Sequence, residues 1–524
     1  MNKLALFISF TLLFTKAQAG DGTVRIYAYP LPAVYTASTV FSLQAAGISI
    51  PVVSYNDRYD YAHFSMSKGK AEIVITLLAG TEVTGYNISP RKLKIIARAE
   101  GNRLVFRMSR DAYLIVKINA TRELIIAADA VETNKPASSG KGIFNITAPG
   151  YAADGSGKTM ATHALQRAID DASACHNGIV YVPAGIYMVG NINLKSSMSL
   201  YLEGGAVLLF SGHAEDYKVN ARKASQNRNL TWWIYTDSGA HDIKLYGRGT
   251  LDGNGKYATE KGKIGNNILA LFYTSHFVLD GLVVRNSGSW ALIPTRSSHL
   301  IFRNFKLLNR FDMGENDGID VMESEDVLVQ HAIGIALDDP FSTKTWEQNT
   351  DLCRNWPGSP RPQKNIVFDD LISWTYCYAY KIGQGVVQPQ TNITFKNCVV
   401  YDAAVGIGVH HKWGTSYVDH VVFENIEIEK LSYQNDDHRV WAVFLMQNGD
   451  KKGSGPVSDI RIENIKIYDI GKSPGKIRGA SDVRLIDNVT FKHILPPGLN
   501  RPAANLQEMN MADTANCRNI KVIL

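Results

Sequence analysis

The sequence contains little cysteine, and its cysteines follow no metal-binding pattern. There are five, at positions 175, 353, 377, 398 and 517, and an odd number leaves at least one thiol free or paired with another chain. Neither a Cys-x-x-Cys nor a His-x-x-x-His spacing occurs, so we predict no metal site and no cofactor. Cys377 and Cys398 lie 21 residues apart, and they could form a disulfide in an oxidising compartment or remain two buried thiols.

The sequence also lacks a strong excess of charge and a long hydrophobic run. A formal net charge of +6 on 524 residues argues against nucleic acid as a partner and leaves a polyanionic substrate possible. The apolar run over residues 4–14 is too short to span a membrane. With Lys3 before it and Ala17-Gln18-Ala19 after it, this run predicts a signal peptide over residues 1–19. We therefore expect export to the periplasm or the extracellular space.

What is present is ordinary globular composition, 45% hydrophobic and 20% charged, in a chain longer than one average domain. Residues 20–133 contain short segments in which apolar and polar residues alternate, separated by turn signals such as Gly101-Asn102, which predicts a small N-terminal β-sandwich domain. Its aromatic residues Tyr55, Tyr59, Tyr61 and Phe64 could form a sugar-binding platform, but packing within or between domains is the favoured interpretation. Residues 134–149 have the composition of a linker.

The second domain, residues 150–524, begins with one helical pattern. Apolar residues at helical spacing predict a helix over residues 161–174, with Thr159 as its N-cap. A single helix followed by short strands is typical of the capped end of a coiled stack of strands.

A short strand motif then recurs through the rest of the chain. It reads apolar-x-apolar, a variable residue, then Asn, Gly, His or Asp, and its copies start at Ile243, Phe277, Leu300, Val327, Ile366, Ile393, Val421 and Ile460, with looser copies at Val483 and Ile520. The shortest separations between starts, 23 to 28 residues, equal one coil of a parallel β-helix with three short strands, and separations of 34 and 39 residues indicate loop insertions. The fold class is therefore predicted as all-β, a right-handed parallel β-helix preceded by the sandwich.

Three aspartates stand out within this repeat. Asp338 and Asp339 follow Asp317 by 21 and 22 residues, which is close to one coil, so all three should stack on one face. Acid–base cleavage of a glycosidic bond needs such a cluster, with one protonated carboxylic acid and at least one ionised carboxylate. Asp-Gly and Asp-Asp are also common turn residues, so the cluster alone does not prove catalysis. Because Asp338 and Asp339 are adjacent, a bend after Leu337, next to Pro340, is needed to keep both in one cleft.

The next coils should bring residues 381–385 and 406–414, with their polar and aromatic side chains, to the same face. Together with two residues in the motifs of the aspartates themselves, the candidate substrate-binding residues are Asp320, Lys344, Gln384, His410, His411, Lys412 and Trp413. For His410 and His411 a purely structural role is an equal alternative.

The motifs resemble those of the polygalacturonases, glycoside hydrolase family 28. Asn316-Asp317-Gly-Ile-Asp320 stands where that family has Asn-Thr-Asp-Gly-x-Asp, and Asp338-Asp339-Pro-Phe-Ser-Thr-Lys344 stands where it has Asp-Asp-Cys-Ile-Ala-Ile-Lys. The resemblance, over about residues 150–524, implies that Asp338 is the general acid and that Asp317 and Asp339 hold the attacking water, with inversion at the anomeric carbon. The implied substrate is a pectic or other uronate-containing polysaccharide, and Lys344 and Lys412 would attract it as point charges.

Two departures from the family pattern leave the substrate open. Gln384 stands where the family has His, and His410 stands where it has the Arg that would grip a uronate carboxylate. The N-terminal module also resembles that of the dextranase and isopullulanase family, family 49, whose members act on neutral glucans. A neutral glucan or galactan is therefore the alternative substrate.

Two further functions stay open from the residues alone. A polysaccharide lyase on the same fold would use Lys344 or Lys412 as its base, whereas the Asp-Asp pair fits hydrolysis better. A non-catalytic glycan-binding β-helix would need no clustered aspartates. We expect a monomer whose partner is a polysaccharide or oligosaccharide.

Overall fold

The computed structural model describes residues 24–350, 353–432 and 439–524. The predicted signal peptide over residues 1–19 lies outside the described residues. Among those described, neither helix has the length and the hydrophobicity that crossing a membrane requires.

Two packed sheets form the N-terminal module, as predicted. The first has the strand order β2-β5-β6-β12-β11-β8 with β1 on β6, and the second has the order β4-β3-β7-β10-β9. The strands are β1 (Ile26–Ala28), β2 (Thr36–Ala37), β3 (Phe41–Ala45), β4 (Ile48–Ile50), β5 (Val52–Ser54), β6 (Tyr59–Met66), β7 (Ala71–Leu77), β8 (Tyr86–Ser89), β9 (Ala97–Glu100), β10 (Arg103–Met108), β11 (Ala112–Ile118) and β12 (Glu123–Ala130). Strands such as β3 alternate buried and exposed residues because one face packs on the other sheet and the other face meets water.

The rest of the described chain is a parallel β-helix, which confirms the predicted fold class. Its strands are β13 (Ile143–Asn145), β14 (Ser156–Met160), β15 (Gly178–Val182), β16 (Gly185–Val189), β17 (Ile192–Leu194), β18 (Met198–Leu202), β19 (Ala206–Phe210), β20 (Ala221–Lys223), β21 (Arg228–Thr236), β22 (His241–Gly247), β23 (Thr250–Asp252), β24 (Ile264–Phe272), β25 (Ser275–Asp280), β26 (Val283–Arg285), β27 (Leu292–Thr295), β28 (Ser298–Arg303), β29 (Lys306–Leu308), β30 (Ile319–Met322), β31 (Glu325–Ala336), β32 (Phe341–Thr345), β33 (Gln363–Thr375), β34 (Tyr378–Val386), β35 (Gln390–Lys396), β36 (Val399–Asp402), β37 (Val405–Trp413), β38 (Val418–Ile428), β39 (Val440–Met446), β40 (Val457–Ile467), β41 (Lys476–Arg478), β42 (Ile486–Leu495), β43 (Asp513–Ala515) and β44 (Cys517–Ile523).

The copies of the predicted repeat occupy equivalent positions in successive coils of this helix. Its copies from Ile243 to Ile460 pair one with the next in a continuous parallel ladder, in which Leu300 lies on Val327 and Val327 on Ile366. The prediction at Val483 is wrong, because Ile460 pairs with Val489 and Val489 with Ile520. Val483 is 80% exposed, so it cannot be a core position of a coil.

Two sheets run the length of the helix. A 20-stranded sheet carries the repeat, and a 12-stranded sheet with the main order β17-β21-β24-β27-β30-β32-β34-β37-β39-β41-β43 carries the candidate site. Helix α1 (Thr162–Ala174) buries Leu165, Ala168, Ile169 and Ala172 against the first coils, as expected for a cap. Thr159 is not its N-cap: Thr159 lies in β14, and Ala161 takes that position. The described residues also include helix α2 (Gly255–Glu260) and the 3₁₀ turns Arg91–Leu93, Ala214–Asp216 and Ala224–Gln226.

The sandwich packs on the 20-stranded sheet through tyrosines rather than presenting them to solvent. The Tyr55 hydroxyl donates to the carbonyl of Leu308 at 2.9 Å, and the Tyr59 hydroxyl donates to the carbonyl of Asn309 at 2.7 Å. Tyr61 accepts a hydrogen bond from Arg285 at 2.7 Å. The packing interpretation of these aromatic residues is therefore correct, and they form no sugar-binding platform.

A buried ionic cluster lies at the same interface between the sandwich and the β-helix, which we call the joint. Asp129 of the sandwich lies 2.6 Å from the ammonium of Lys306 and 3.2 Å from the guanidinium of Arg248, both on the β-helix. His63 at 2.7 Å and the Tyr113 hydroxyl at 2.6 Å complete its contacts. We call Asp129, His63, Tyr113, Arg248 and Lys306 the joint cluster.

Candidate active site

The three predicted catalytic aspartates meet at the turns that lead into β30 and β32. The register pairs Ile319 with Phe341, so that Asp317, and not Asn316, lies one coil from Asp339. Asp338 in turn lies beside Asn316, whose side-chain oxygen accepts hydrogen bonds from the backbone of Leu337 at 3.0 Å and of Asp338 at 3.4 Å.

The predicted bend between Leu337 and Pro340 is present. Leu337 and Asp338 form a bend between β31 and β32, and the Asp339 backbone N–H donates to Oδ1 of Asp338 at 3.0 Å. Gly318 permits the close approach of the two turns, since a Cβ there would lie 2.2 Å from the carbonyl oxygen of Pro340. Glycine is therefore required at position 318 by stacking between coils, and not only by a local turn.

Two buried lysines hold the carboxylates together. The ammonium of Lys344 contacts Oδ2 of Asp317 and lies 3.1 Å from Asp320 and 3.9 Å from Asp339. The ammonium of Lys381 lies 2.7 Å from Oδ2 of Asp339. We call Asp317, Asp320, Asp338, Asp339, Lys344 and Lys381 the catalytic cluster, after the role that we propose for it below.

These contacts push the proton affinities of the neighbouring carboxylates apart. Burial and the negative charge of Asp339 raise the pKa of Asp338 above its usual range. Burial acts in the same direction on Asp339, but Lys381 and Lys344 outweigh it and hold the pKa of Asp339 below its usual range. The cluster thus contains one aspartate suited to carry a proton beside one suited to stay ionised.

Asp317 and Asp320 complete the acidic side of the cluster. Burial, together with the charge of Asp338, raises the pKa of Asp317, and its Oδ1 is buried without a hydrogen-bond partner. Burial raises the pKa of Asp320 to about 6, although Ser342 donates a hydrogen bond to its Oδ1. An unpartnered buried carboxylate oxygen at Asp317 suits a site that binds a polar molecule, such as the attacking water.

Cys377 adds a thiol to this group. One ligand atom from each of Asp338, Asp339 and Cys377 lies within 4.8 Å of the others. Burial and the charge of Asp339 raise the pKa of the Cys377 thiol well above its ordinary value, which keeps the thiol protonated. Cys377 and Cys398 are both free thiols, so the disulfide alternative is wrong.

Aromatic side chains that the sequence analysis did not single out border the cluster. The ammonium of Lys344 lies 4.2 Å from the ring centroid of Trp290, which stacks on Trp346 at 6.3 Å. Tyr378 donates its backbone N–H to Oδ1 of Asp339 at 3.3 Å, and its ring lies 4.7 Å from the ammonium of Lys381. Neither tryptophan lies within the repeat motif, so the spacing gave no signal for them.

The remaining predicted binding residues divide into two groups. Gln384 and Trp413 are half-buried and joined by a hydrogen bond of 3.3 Å from the indole N–H, and Lys412 lies 4.8 Å from the Trp413 ring. His410 is half-buried, and its Nε2 lies 2.9 Å from the side-chain oxygen of Gln447. These four reach solvent in part.

His411 does not. Its side chain is completely buried, and its Nε2 lies 2.7 Å from the carbonyl oxygen of Ser416. Burial lowers its pKa, so that it stays neutral. Successive residues of a strand point to opposite faces, so once His410 faces outward His411 must point inward. The expectation that His411 contacts substrate is therefore wrong.

Comparisons with known proteins agree with this geometry. Residues 173–358 match the family model described as glycosyl hydrolases family 28. An exo-poly-alpha-D-galacturonosidase of Dickeya chrysanthemi is 32% identical over 220 residues, which are 36% of this chain and 36% of that relative. A putative galacturan 1,4-alpha-galacturonidase A of Aspergillus niger is 25% identical over 328 residues, 58% of this chain and 66% of the relative. The chain thus spans from about a third to just under two thirds of these two relatives.

One solved structure shares the overall fold. It is the family 28 exopolygalacturonase of Yersinia enterocolitica, with a TM-score of 0.57 and 16% identity, covering 86% of this chain and 93% of that one. The family match, the relatives and the fold together confirm the resemblance drawn from the sequence: the chain is similar to the polygalacturonases of family 28, and it carries an N-terminal β-sandwich module.

Proposed function

We propose that this protein hydrolyses glycosidic bonds in a pectic or other uronate-containing polysaccharide. The observation that carries the proposal is the pair Asp338 and Asp339, whose proton affinities are pushed apart within one buried cluster. The family match and the galacturonan-degrading relatives support the substrate class.

In this proposal each carboxylate has a separate role. Asp338 donates a proton to the glycosidic oxygen as the bond breaks, because its raised pKa keeps it protonated. Asp317 and Asp339 then bind and deprotonate the water that attacks the anomeric carbon. Protonation of Asp338 also removes the charge that opposes ionisation of Asp317, and Lys344 stabilises the resulting carboxylate.

We further propose that cleavage inverts the anomeric configuration. An inverting enzyme leaves roughly 6.5–9.5 Å between acid and base for a water molecule, whereas a retaining enzyme leaves about 5–5.5 Å. Asp317 and Asp338 come from different coils and occupy different register positions, which favours the wider arrangement. Nuclear magnetic resonance of the first-formed product anomer tests this: a product that keeps the anomeric configuration of the substrate contradicts the mechanism.

The insertion between β32 and β33, residues 346–362, favours attack at a chain end. Of this insertion, residues 346–350 and 353–362 are described. Cys353 and Trp356 are buried against Phe272 and Ile293, which lie on the outer face of the sheet in preceding coils. A polysaccharide running along the sheet in that direction would meet the insertion beside the catalytic cluster.

Several polar contacts fasten the insertion in this position. Arg296, buried and paired with Glu323 at 2.7 Å, donates to the carbonyls of Pro357 and Gly358, each at 2.8 Å. Asn355 donates to the carbonyl of Asn220 at 2.6 Å. We propose that the closed groove makes the enzyme exo-acting, and the names of the bacterial relative and of the structural neighbour support this proposal.

Two measurements test the function and its mode. Hydrolysis of polygalacturonate should release reducing ends without the ultraviolet absorption of a lyase product, and absence of new reducing ends contradicts the proposal. Chromatography at early times should show mono- or disaccharide as the sole small product. A ladder of intermediate lengths contradicts exo action. A variant with residues 353–359 replaced by a short Gly-Ser linker should then produce that ladder, provided its circular dichroism and melting temperature match the wild type.

A neutral glucan or galactan is the second candidate substrate, and one observation favours it. Both lysines of the catalytic cluster are engaged by aspartates, so they offer less attraction to a uronate than the sequence analysis expected. A parallel assay on dextran and galactan decides between the two. Export of the mature protein is also part of the proposal, and N-terminal sequencing of secreted protein tests it by locating the start of the mature chain.

A further inference from the structure

On the C-terminal side of the catalytic cluster, the outer face of the 12-stranded sheet is aromatic and apolar. In the registers of β34, β37 and β39, Gly408 lies beside Val443 and His410 lies beside Leu445. The Tyr378 ring covers this surface from the preceding coil and packs in one apolar cluster with Val443 and Leu445. We call Tyr378, Gly408, His410, Val443 and Leu445 the aromatic floor.

The Tyr378 ring is held directly beside the reacting carboxylates. Its backbone N–H is hydrogen-bonded to Asp339, and its ring is stacked with that of His410 at 6.1 Å and an interplanar angle of 26°. A Cβ on Gly408 would lie 3.0 Å from Cε1 of Tyr378, so glycine leaves the space in which the ring lies. A half-buried aromatic ring next to a catalytic group is the usual surface on which one face of a bound ligand rests.

The floor has one polar group without a protein partner. Nε2 of His410 lies 2.9 Å from the Gln447 side-chain oxygen, which assigns the proton to Nε2 and leaves Nδ1 as an acceptor. Nδ1 is buried and has no hydrogen-bond partner among the described residues. A sugar hydroxyl on the floor would supply the missing donor.

The charges around the floor disfavour an ionised carboxylate. Burial lowers the pKa of His410 to about 4, so the imidazole is neutral at working pH. Lys381 is paired with Asp339 at 2.7 Å, and Lys412 lies over the Trp413 ring. An ionised uronate on the floor would therefore meet the acidic catalytic cluster without the bidentate cation that binds carboxylates strongly.

We propose that the aromatic floor is a subsite for an uncharged sugar unit next to the bond that is cleaved. Two sources share this chemistry, a methyl-esterified galacturonate and a neutral hexose. The inference rests on the proposed function and refines it: the polymer as a whole is pectic, while the unit at this position carries no charge.

Kinetics on matched oligosaccharides test the proposal. Oligogalacturonides of one length, with and without methyl esters, and a neutral galacto-oligosaccharide are compared at fixed pH and ionic strength. We expect kcat/KM for the esterified or the neutral oligomer to exceed that for the fully ionised oligomer at least threefold, and the better of the two identifies the source. A preference for the fully ionised oligomer overturns the proposal.

Variants of the floor separate recognition from folding. His410→Arg should reverse the preference, because it places a guanidinium where the ionised carboxylate would lie. Tyr378→Phe should keep the preference, since it keeps the ring, whereas Tyr378→Leu should raise KM for the uncharged oligomer at least fivefold. An unchanged substrate ratio in His410→Arg, with a normal melting temperature, counts against the subsite.

A binding experiment distinguishes failure of this inference from failure of the proposed function. Calorimetry with Asp338→Asn measures binding of the same oligomers without turnover. Tighter binding of the uncharged oligomer supports the subsite even if the wild type cleaves none of them, an outcome that would refute only the proposed hydrolysis. Equal or weaker binding of the uncharged oligomer refutes the subsite.

Discussion

The joint cluster and the catalytic cluster both place buried aspartate beside buried lysine, but they contain different proportions of acidic and basic side chains. In the joint cluster a single carboxylate, Asp129, faces Lys306, Arg248, His63 and Tyr113, and both of its oxygens have partners. Burial would raise its pKa, but Lys306 and Arg248 outweigh burial and hold the pKa far below its usual range. The joint cluster thus holds the sandwich on the β-helix through one ionised carboxylate, both of whose oxygens have partners.

The catalytic cluster has more acidic than basic side chains, whereas the joint cluster has more basic than acidic ones. Four aspartates share two lysines, and buried oxygens of Asp317 and Asp320 lack partners among the described residues. Asp317, Asp320 and Asp338 consequently have raised pKa values, whereas Asp339 beside Lys381 does not. The comparison shows that the ratio of acidic to basic groups, rather than burial alone, decides whether a buried aspartate has a lowered or a raised pKa. The following predictions test whether that difference separates a structural cluster from a catalytic one.

The largest expected effect is on turnover at the catalytic cluster. Asp338→Asn should lower kcat by about 10²–10⁴-fold, because it removes the proton donor while keeping the shape. Substrate affinity and folding should change little. Steady-state kinetics with Asp482→Asn, an exposed aspartate far from the repeat core, as control measure this. A variant that retains more than half of the wild-type rate would remove Asp338 from the mechanism.

At the joint cluster the expected effect is on stability instead. Lys306→Met should lower the free energy of unfolding by roughly 3–5 kcal/mol, since removing one partner of a buried ion pair leaves an uncompensated charge. The kcat of the remaining folded protein should be unchanged. Urea unfolding measures the loss, and the double variant Lys306→Met with Asp129→Asn should recover part of it. A similar loss of kcat would mean that the two clusters are coupled.

Replacing Lys381 in the catalytic cluster should shift the pH dependence of kcat/KM. Lys381 lowers the pKa of Asp339, so Lys381→Met should raise that pKa and shift the acidic limb of kcat/KM to higher pH. The profile of kcat/KM against pH shows the shift, with Lys412→Met as the matched control that leaves this limb in place. An unshifted limb in Lys381→Met would exclude Asp339 as the ionised partner.

The smallest expected effect is a pH-dependent change in stability. The pKa of Asp338 is raised in the folded state, so its contribution to stability is fully present below the unfolded pKa, near 3.9. That contribution is lost as pH rises through the folded pKa. The melting temperature of Asp338→Asn should therefore equal that of the wild type near pH 4 and exceed it near pH 7. A constant difference at both pH values would contradict the raised pKa.

The joint cluster gives the matching control with the opposite sign. The pKa of Asp129 is lowered in the folded state, so its contribution is present above the unfolded pKa and lost as pH falls below it. The stability of Asp129→Asn relative to the wild type should therefore improve as the solution is acidified below about pH 4. Differential scanning calorimetry across this range measures both variants.

The sequence by itself determined the fold and the position of the three aspartates, because both follow from patterns that are local in the sequence. The strand motif from Ile243 to Ile460 carries its own spacing, and a coil that repeats must stack equivalent positions. The same periodicity placed Asp317 one coil from Asp338 and Asp339. The bend before Pro340 also followed from local geometry, since two adjacent aspartates in an extended strand would point to opposite faces.

Only the tertiary structure decided which other side chains join the aspartates. Tyr378 reaches Asp339 across 39 residues, and no motif marks it. The segment that begins at Lys381 was expected on this face, but its pairing with Asp339 across 42 residues was not, because pairing between coils depends on loop lengths that the repeat does not fix. His411 is turned inward by the alternation of side chains along β37, and Val483 lies outside the coil because Val489 takes its expected place in the ladder. The path of the insertion over residues 346–362 is likewise set by long-range contacts such as that of Arg296 with Pro357, which a linear pattern does not contain.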